Sequence, residues 1–121
     1  MNMRFGCEIM KIDQKIINNI PVLEVSGKID ATTSEILKRT LDGLINDNYA
    51  NILIDLAYVE YISSGGLRIL LAALKEVRPN QGDLKLAALQ PSVSEVLEIV
   101  GFTKLFKIYS SQADALSQMG A

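Results

Sequence analysis

Residues 51–56, Asn-Ile-Leu-Ile-Asp-Leu, form an almost unbroken apolar run set between two stretches of helical periodicity. A strand of that composition has to be covered on both faces, as the central strand of a parallel sheet is by its crossover helices. Ahead of it, Ile36, Leu37, Thr40, Leu41, Leu44 and Ile45 mark one face of a helix that Asn46-Asp47-Asn48 stops. Behind it, Leu67, Leu70, Leu71, Leu74 and Val77 mark another, closed by Pro79. Helix, buried strand and helix in that order already restrict the chain to layered folds.

The remaining segments extend the alternation. Residues 7–12 and 20–25 read as a hairpin turning at Asn18-Asn19, and residues 26–31 as a loop leading to a helix start. Thr32 and Glu35 stand at capping-box spacing there. Past Gly82, residues 84–89 read as a strand. A third helix starts at Pro91-Ser92, with Ser92 and Glu95 again at capping-box spacing, and Gly101 ends it. Residues 105–109 suit a short last strand, and Ser110 or Ser111 a cap for a terminal helix through Leu116. The order β-β-α-β-α-β-α-β-α predicts an α/β fold with a mixed, mostly parallel sheet of about five strands and four helices. A length of 121 residues, 49% of them apolar and only 3 proline, suits one packed domain over residues 1–121.

Composition excludes more than it identifies. The chain has no histidine, which removes the usual general base, the usual metal ligand and the Ser-His-Asp triad. Cys7 is the single cysteine, so an internal disulfide and a zinc site within one chain fail on count. No enzymatic activity, cofactor or metal is expected. A formal charge of −2 gives no field for nucleic acid or anionic lipid. No run approaches the ~20 apolar residues of a membrane span, and residues 1–5 lack the apolar core of a signal peptide. A cytoplasmic protein is the expectation.

The segment Tyr61-Ile62-Ser63-Ser64-Gly65-Gly66-Leu67-Arg68 joins the central strand to the second helix. Serines there sit at a helix N-terminus, where unpaired N–H groups and the dipole favour negative charge. One reading is a reversible phosphoserine, adding about −1.5 to −2 charge. The other is a plain serine cap, with the glycines easing a tight turn. Arg68 lies four residues beyond Ser64, on the same helical side, able to hold a phosphate, meet an acidic partner or simply face solvent. Asp30 follows another strand and either neighbours the serine loop or caps a turn. Asp55, within the central strand, needs a partner or water. Ser26-Gly27-Lys28 is no phosphate-binding P-loop, since the upstream glycine is missing and Ile29 replaces the hydroxyl residue. Ser64-Gly65-Gly66 is no hydrolase elbow without a G-x-S-x-G pattern.

Three phrases in order give the chain a family resemblance: residues 26–33, Ser-Gly-Lys-Ile-Asp-Ala-Thr-Thr; Ile54-Asp55-Leu56 with residues 61–67; and residues 100–106, Val-Gly-Phe-Thr-Lys-Leu-Phe. Over nearly its whole length the chain resembles a STAS domain, of the anti-sigma factor antagonist type. The resemblance implies a binding switch. The unphosphorylated domain binds an anti-sigma factor with serine-kinase activity and so frees a sigma factor for transcription. The kinase phosphorylates a serine at the start of the second helix, and a serine phosphatase resets it. The implied partner-binding residues are Asp30, Ile62, Ser63, Ser64, Gly65, Gly66, Leu67 and Arg68, with ATP belonging to the kinase. No nucleic acid and no direct membrane insertion are implied.

The chain departs from the family's D-S-S-G-L pattern, because Gly65 occupies the usual acceptor position. A related S-S-A-G-L form occurs among antagonists. Either Ser64 or Ser63 is the acceptor, Ser64 being favoured for its place nearer the helix, or the domain is not phosphorylated. The alternative reading is a constitutive adaptor, such as the small cytoplasmic subunit of a lipid-transport ABC complex.

Overall fold

A computed structural model describes residues 10–119. The part of the expected first strand at residues 7–9 lies outside the described residues. Strands β1 (Lys11–Ile17) and β2 (Ile20–Ile29) form the hairpin, and its turn residues Asn18 and Asn19 have φ of 50° and 68°. Two successive left-handed residues match the right-handed twist of paired strands, and asparagine tolerates that conformation best after glycine. The chain continues through α1 (Ser34–Asn46), β3 (Asn51–Ile62), α2 (Ser64–Val77), β4 (Asp83–Ala87), α3 (Pro91–Ile99), β5 (Ile108–Tyr109) and α4 (Gln112–Gln118).

The strands order as β1-β2-β3-β4-β5, with β1 antiparallel to β2 and every later pair parallel. This is the expected α/β class, with five strands and four α-helices among the described residues. Because the parallel strands advance one way across the sheet, right-handed crossovers place α1, α2 and α3 on one face. There Leu37, Leu41, Leu70, Leu74, Val93 and Leu97 close over Leu23, Ile52, Ile54, Leu84 and Leu86 in one continuous core. The opposite face carries a smaller cluster, Ile20, Val22, Leu53 and Ala87, covered by Ala115 of α4. Leu53 between Ile52 and Ile54 explains the unbroken apolar run: alternate side chains enter different cores.

Two segments expected as loops are strand. β2 runs on to Ile29 and β3 to Ile62. Alternation fails to reveal this because the β2–β3 register jumps twice, between Glu24 and Ser26 and between Gly27 and Lys28. Each jump adds a residue to β3, a bulge, so that Leu56, Val59 and Ile62 reach the core at a spacing of three. β4 pairs only with residues 51–55 of β3. Beyond that point the Ala57 carbonyl accepts from Gln90 Nε2 (2.8 Å) and the Glu60 carbonyl from Ser92 Oγ (2.9 Å). The expected Ser92–Glu95 capping box is therefore absent, since the hydroxyl is committed to β3. Pro91 opens α3 instead, at the position where a missing N–H costs nothing. Toward the C-terminus β4 stops at Ala87, residues 102–104 form a 3-10 turn, and the last strand shrinks to two residues. Ser111 caps α4, accepting from Asp114 N at 3.1 Å.

Asp55 finds its partners on the α4 side. Its Oδ1 accepts from Ala57 N (2.9 Å), and Gln112 Nε2 donates to Asp55 Oδ2 and to Glu24 Oε2, each at 2.8 Å. Lys15 Nζ stands 3.2 Å from the same Glu24 carboxylate. The Gln112 amide first, and Lys15 second, hold the Glu24 carboxyl below the usual carboxylate range. This polar group fastens a short helix to the sheet and is separate from the serine loop. No helix among the described residues is long and apolar enough to cross a membrane.

Candidate functional site

β2 and β3 end together, Ile29 opposite Ile62, so their two following loops leave the sheet side by side. Ser63 N donates to the Ile29 carbonyl at 2.8 Å and ties one loop to the other. Each loop feeds a helix start, α1 after the first and α2 after the second.

In the first loop Asp30 is the organiser. Its Oδ1 accepts from the backbone N–H of Thr32 (3.0 Å) and of Thr33 (2.9 Å), while the Asp30 N–H donates to Thr33 Oγ1 (2.8 Å). The single Thr33 hydroxyl proton is shared between the Lys28 carbonyl at 2.6 Å and Asp30 Oδ1 at 3.1 Å. The Thr33 N–H bond foremost, with further help from the Thr33 hydroxyl and the Thr32 N–H, keeps the Asp30 carboxyl below its ordinary pKa. The expected Thr32–Glu35 capping box does not form: Thr33 occupies the N-cap without a side-chain cap, and an aspartate three residues earlier does the work.

The second loop is more sparsely bonded. Ser63 is the N-cap of α2 in extended conformation, its Oγ accepting from Gly66 N at 3.2 Å. Ser64 is the first helical residue and is exposed, and its hydroxyl makes no hydrogen bond among the described residues. The two glycines differ. A Cβ on Gly66 would lie 2.7 Å from Ile29 Cγ2 and 2.8 Å from Ile62 Cγ1, so the bare backbone is what lets α2 start against the sheet. A Cβ on Gly65 would make only ordinary contacts, 3.6 Å from Ser63 Oγ and 3.7 Å from Ser34 Oγ.

The residues expected at the site are thus brought together but not all exposed. Asp30, Ser63 and Gly65 are half-buried, and Ser64 and Arg68 face solvent. Ile62 and Leu67 are 4% and 8% exposed and Gly66 is buried, so these three support the loop from beneath and offer a partner backbone at most. Between the first turns of α1 and α2 lies an open groove of about 310 Å³, lined by Ser34, Glu35, Lys38, Gly65, Arg68 and Ile69. Sequence reasoning missed Ser34 and Lys38 as neighbours of the loop, and Thr33 as its hub. The Asp-x-x-Thr spacing at 30–33 was the available signal.

A STAS domain family model matches residues 11–115. BtrV of Bordetella bronchiseptica is 33% identical over 106 residues, covering 88% of this chain and 91% of that protein. The anti-sigma-F factor antagonist RsfB of Mycobacterium tuberculosis is 31% identical over 100 residues, 83% and 81% of the two chains. The crystal structure of an anti-sigma factor antagonist from Mycobacterium paratuberculosis superposes with a TM-score of 0.86 at 26% identity, covering 93% of this chain and 96% of the other. Adjacent strand ends, paired helix starts and a serine-glycine turn between them are thus set in a scaffold with named relatives, and the chain belongs to the STAS domain family.

Proposed function

We propose that residues 1–121 act as one cytoplasmic domain that antagonises an anti-sigma factor and is switched by phosphorylation of Ser64. The relatives named as anti-sigma factor antagonists support the first half of this reading. The observation that carries the second is the division of labour among three successive residues: Ser63 is committed to capping α2, Gly65 has no hydroxyl, and Ser64 is exposed with its hydroxyl unengaged.

The partner is an anti-sigma factor with serine-kinase activity, which supplies the ATP, and a serine phosphatase resets the domain. The partner surface comprises Asp30, Ser63, Ser64, Gly65 and Arg68, with Ile62, Gly66 and Leu67 shaping it from below. Phosphate at Ser64 adds about −1.5 to −2 charge. The positive end of the α2 dipole tolerates that charge, to the extent of ~0.3–1 kcal/mol, whereas a docked partner would have to desolvate it. Modification therefore releases the partner without unfolding its bearer. The domain works by binding; unaided turnover of ATP or an ester by the purified chain would contradict that.

The test is incubation with the cognate kinase and ATP, followed by localisation of phosphate by mass spectrometry. Phosphate on Ser64 with loss of kinase binding is expected. Ser64→Ala should keep partner affinity and Ser64→Asp should lose it, and equal affinity of the two would remove Ser64 from the mechanism. Gly65 at the family's usual acceptor position favours one second reading, the constitutive adaptor, such as a lipid-transport ABC subunit. No phosphate on Ser63 or Ser64 under turnover conditions would select it.

A further inference from the structure

Gly65 raises a question that the fold does not answer. Its φ is not left-handed, unlike that of Gly27 and Gly101, and its missing Cβ would meet nothing closer than 3.6 Å. A helix gains roughly 1 kcal/mol when an interior glycine becomes alanine, less near an end. Neither backbone geometry nor packing therefore calls for glycine here. What the bare position does is leave one wall of the α1–α2 groove open, beside Arg68 and across from Ser34.

The charges around the groove are unequal. Lys38 is engaged by Asp42, with Nζ to Oδ2 at 2.8 Å. Glu35 stands on the rim, exposed. Arg68 is exposed and makes no ion pair among the described residues. The groove thus offers one uncommitted guanidinium at the mouth of a space that glycine keeps empty. An arginine fork suits a carboxylate in two-point contact.

We infer that the groove between α1 and α2 is a receptor for an acidic side chain of the anti-sigma partner, with Arg68 as its charge contact and Gly65 as the residue that makes room. This deepens the antagonist reading and rests on it. It also gives the switch a concrete competitor. Ser64 lies one turn before Arg68 on the same side of α2. A phosphate on Ser64 draws the same guanidinium that the partner's carboxylate needs, so modification removes a contact as well as adding repulsion.

The measurement is a titration of the unphosphorylated chain, wild type and variants, with the purified anti-sigma factors of the source genome. For the factor that wild type binds, Arg68→Glu and Gly65→Leu should each weaken binding at least tenfold, and Arg68→Lys, which keeps the charge but loses the fork, should weaken it less than Arg68→Glu. Thermal melts separate binding from folding. Arg68 is exposed and a Cβ on Gly65 meets only ordinary contacts, so Arg68→Glu and Gly65→Ala should melt near wild type. Gly65→Leu is read on binding only at temperatures below its own melt. Loss with Gly65→Leu but not with Arg68→Glu would overturn the acidic assignment. The reverse pattern would overturn the groove as the receptor. Both variants binding within twofold of wild type would overturn the whole inference while the antagonist reading stands. Binding of no factor by wild type would overturn the antagonist reading and the groove with it.

Discussion

The two loops that leave the sheet side by side solve one structural problem in opposite ways. Each must turn a buried strand into a helix whose first N–H groups lack partners. After β2, Asp30 and Thr33 form a closed circuit: one carboxylate oxygen takes two N–H groups, and one hydroxyl takes a third and returns its proton to the chain. After β3, one serine hydroxyl makes one contact of 3.2 Å, and the hydroxyl of the next serine is left over. The first loop is a frame with few free groups. The second owes its shape to a glycine wedged between Ile29 and Ile62, and this leaves its polar groups available. A site that must be modified and docked needs its hydroxyl outside the circuit that holds the backbone. The second loop offers Ser64 at the start of α2, whereas the exposed Thr32 of the first loop has its backbone N–H tied into the circuit through Asp30.

The wedge is the sharpest place to break that comparison. Gly66→Ala should destabilise by about 2 kcal/mol, the scale of overpacking where a side chain cannot retreat. Gly65→Ala, one residue away, should be neutral or stabilising by up to ~1 kcal/mol. Urea unfolding of the two variants measures both. Equal effects would mean that contact with Ile29 and Ile62 does not shape the loop.

Next in size is the frame itself. Asp30→Ala leaves the Thr32 and Thr33 N–H groups without their acceptor and should lower the melting temperature at neutral pH by roughly 5 °C. The pH dependence gives the effect a signature. Asp30 titrates below its unfolded value of about 3.9. Its stabilisation is therefore complete above that value and is lost as pH falls through the lower, folded one. Melts of wild type and Asp30→Ala should converge in acid and separate fully above about pH 5. Glu24 carries the same sign but is present in both proteins, so the difference between the curves isolates Asp30. A difference that did not change with pH would show that the carboxylate is not the cap.

How much of this could be read from residues alone depends on the range of the interaction. The helices at 36–45 and 67–77 and most of their buried faces, the Asn18-Asn19 turn and the buried strand were legible, because periodicity and turn chemistry are local. Ile36, 41% exposed, and Leu71, outside both cores, are exceptions. The extension of β2 to Ile29 and β3 to Ile62 was not, because bulges replace the two-residue period with a three-residue one and only the neighbouring strand reveals them. Capping misled for a related reason. Thr32–Glu35 and Ser92–Glu95 both fit a local rule, yet Asp30 and the carbonyls of β3 compete for the same groups. The serine loop was located from its own chemistry. The division among Ser63, Ser64, Gly65 and Gly66 could not be read, since it depends on Ile29, Ile62 and Ser34, distant in sequence from the loop or hidden beneath it.

The smallest expected effects decide which serine is free. Ser63→Ala removes the α2 cap and should cost about 0.5–1 kcal/mol, at the low end for a cap because the bond is long. Ser64→Ala removes an exposed hydroxyl without a partner among the described residues and should stay within about 0.5 kcal/mol of wild type. Chemical denaturation of the two single variants, with the double variant to test additivity, resolves a difference of this size when the unfolding slopes are shared. The ordering carries the argument more than either value. If Ser64→Ala cost as much as Ser63→Ala, Ser64 would belong to the frame of its own loop, and phosphate there would act by breaking structure. If only Ser63→Ala costs stability, phosphate on Ser64 changes what the loop presents while leaving what holds the loop in place.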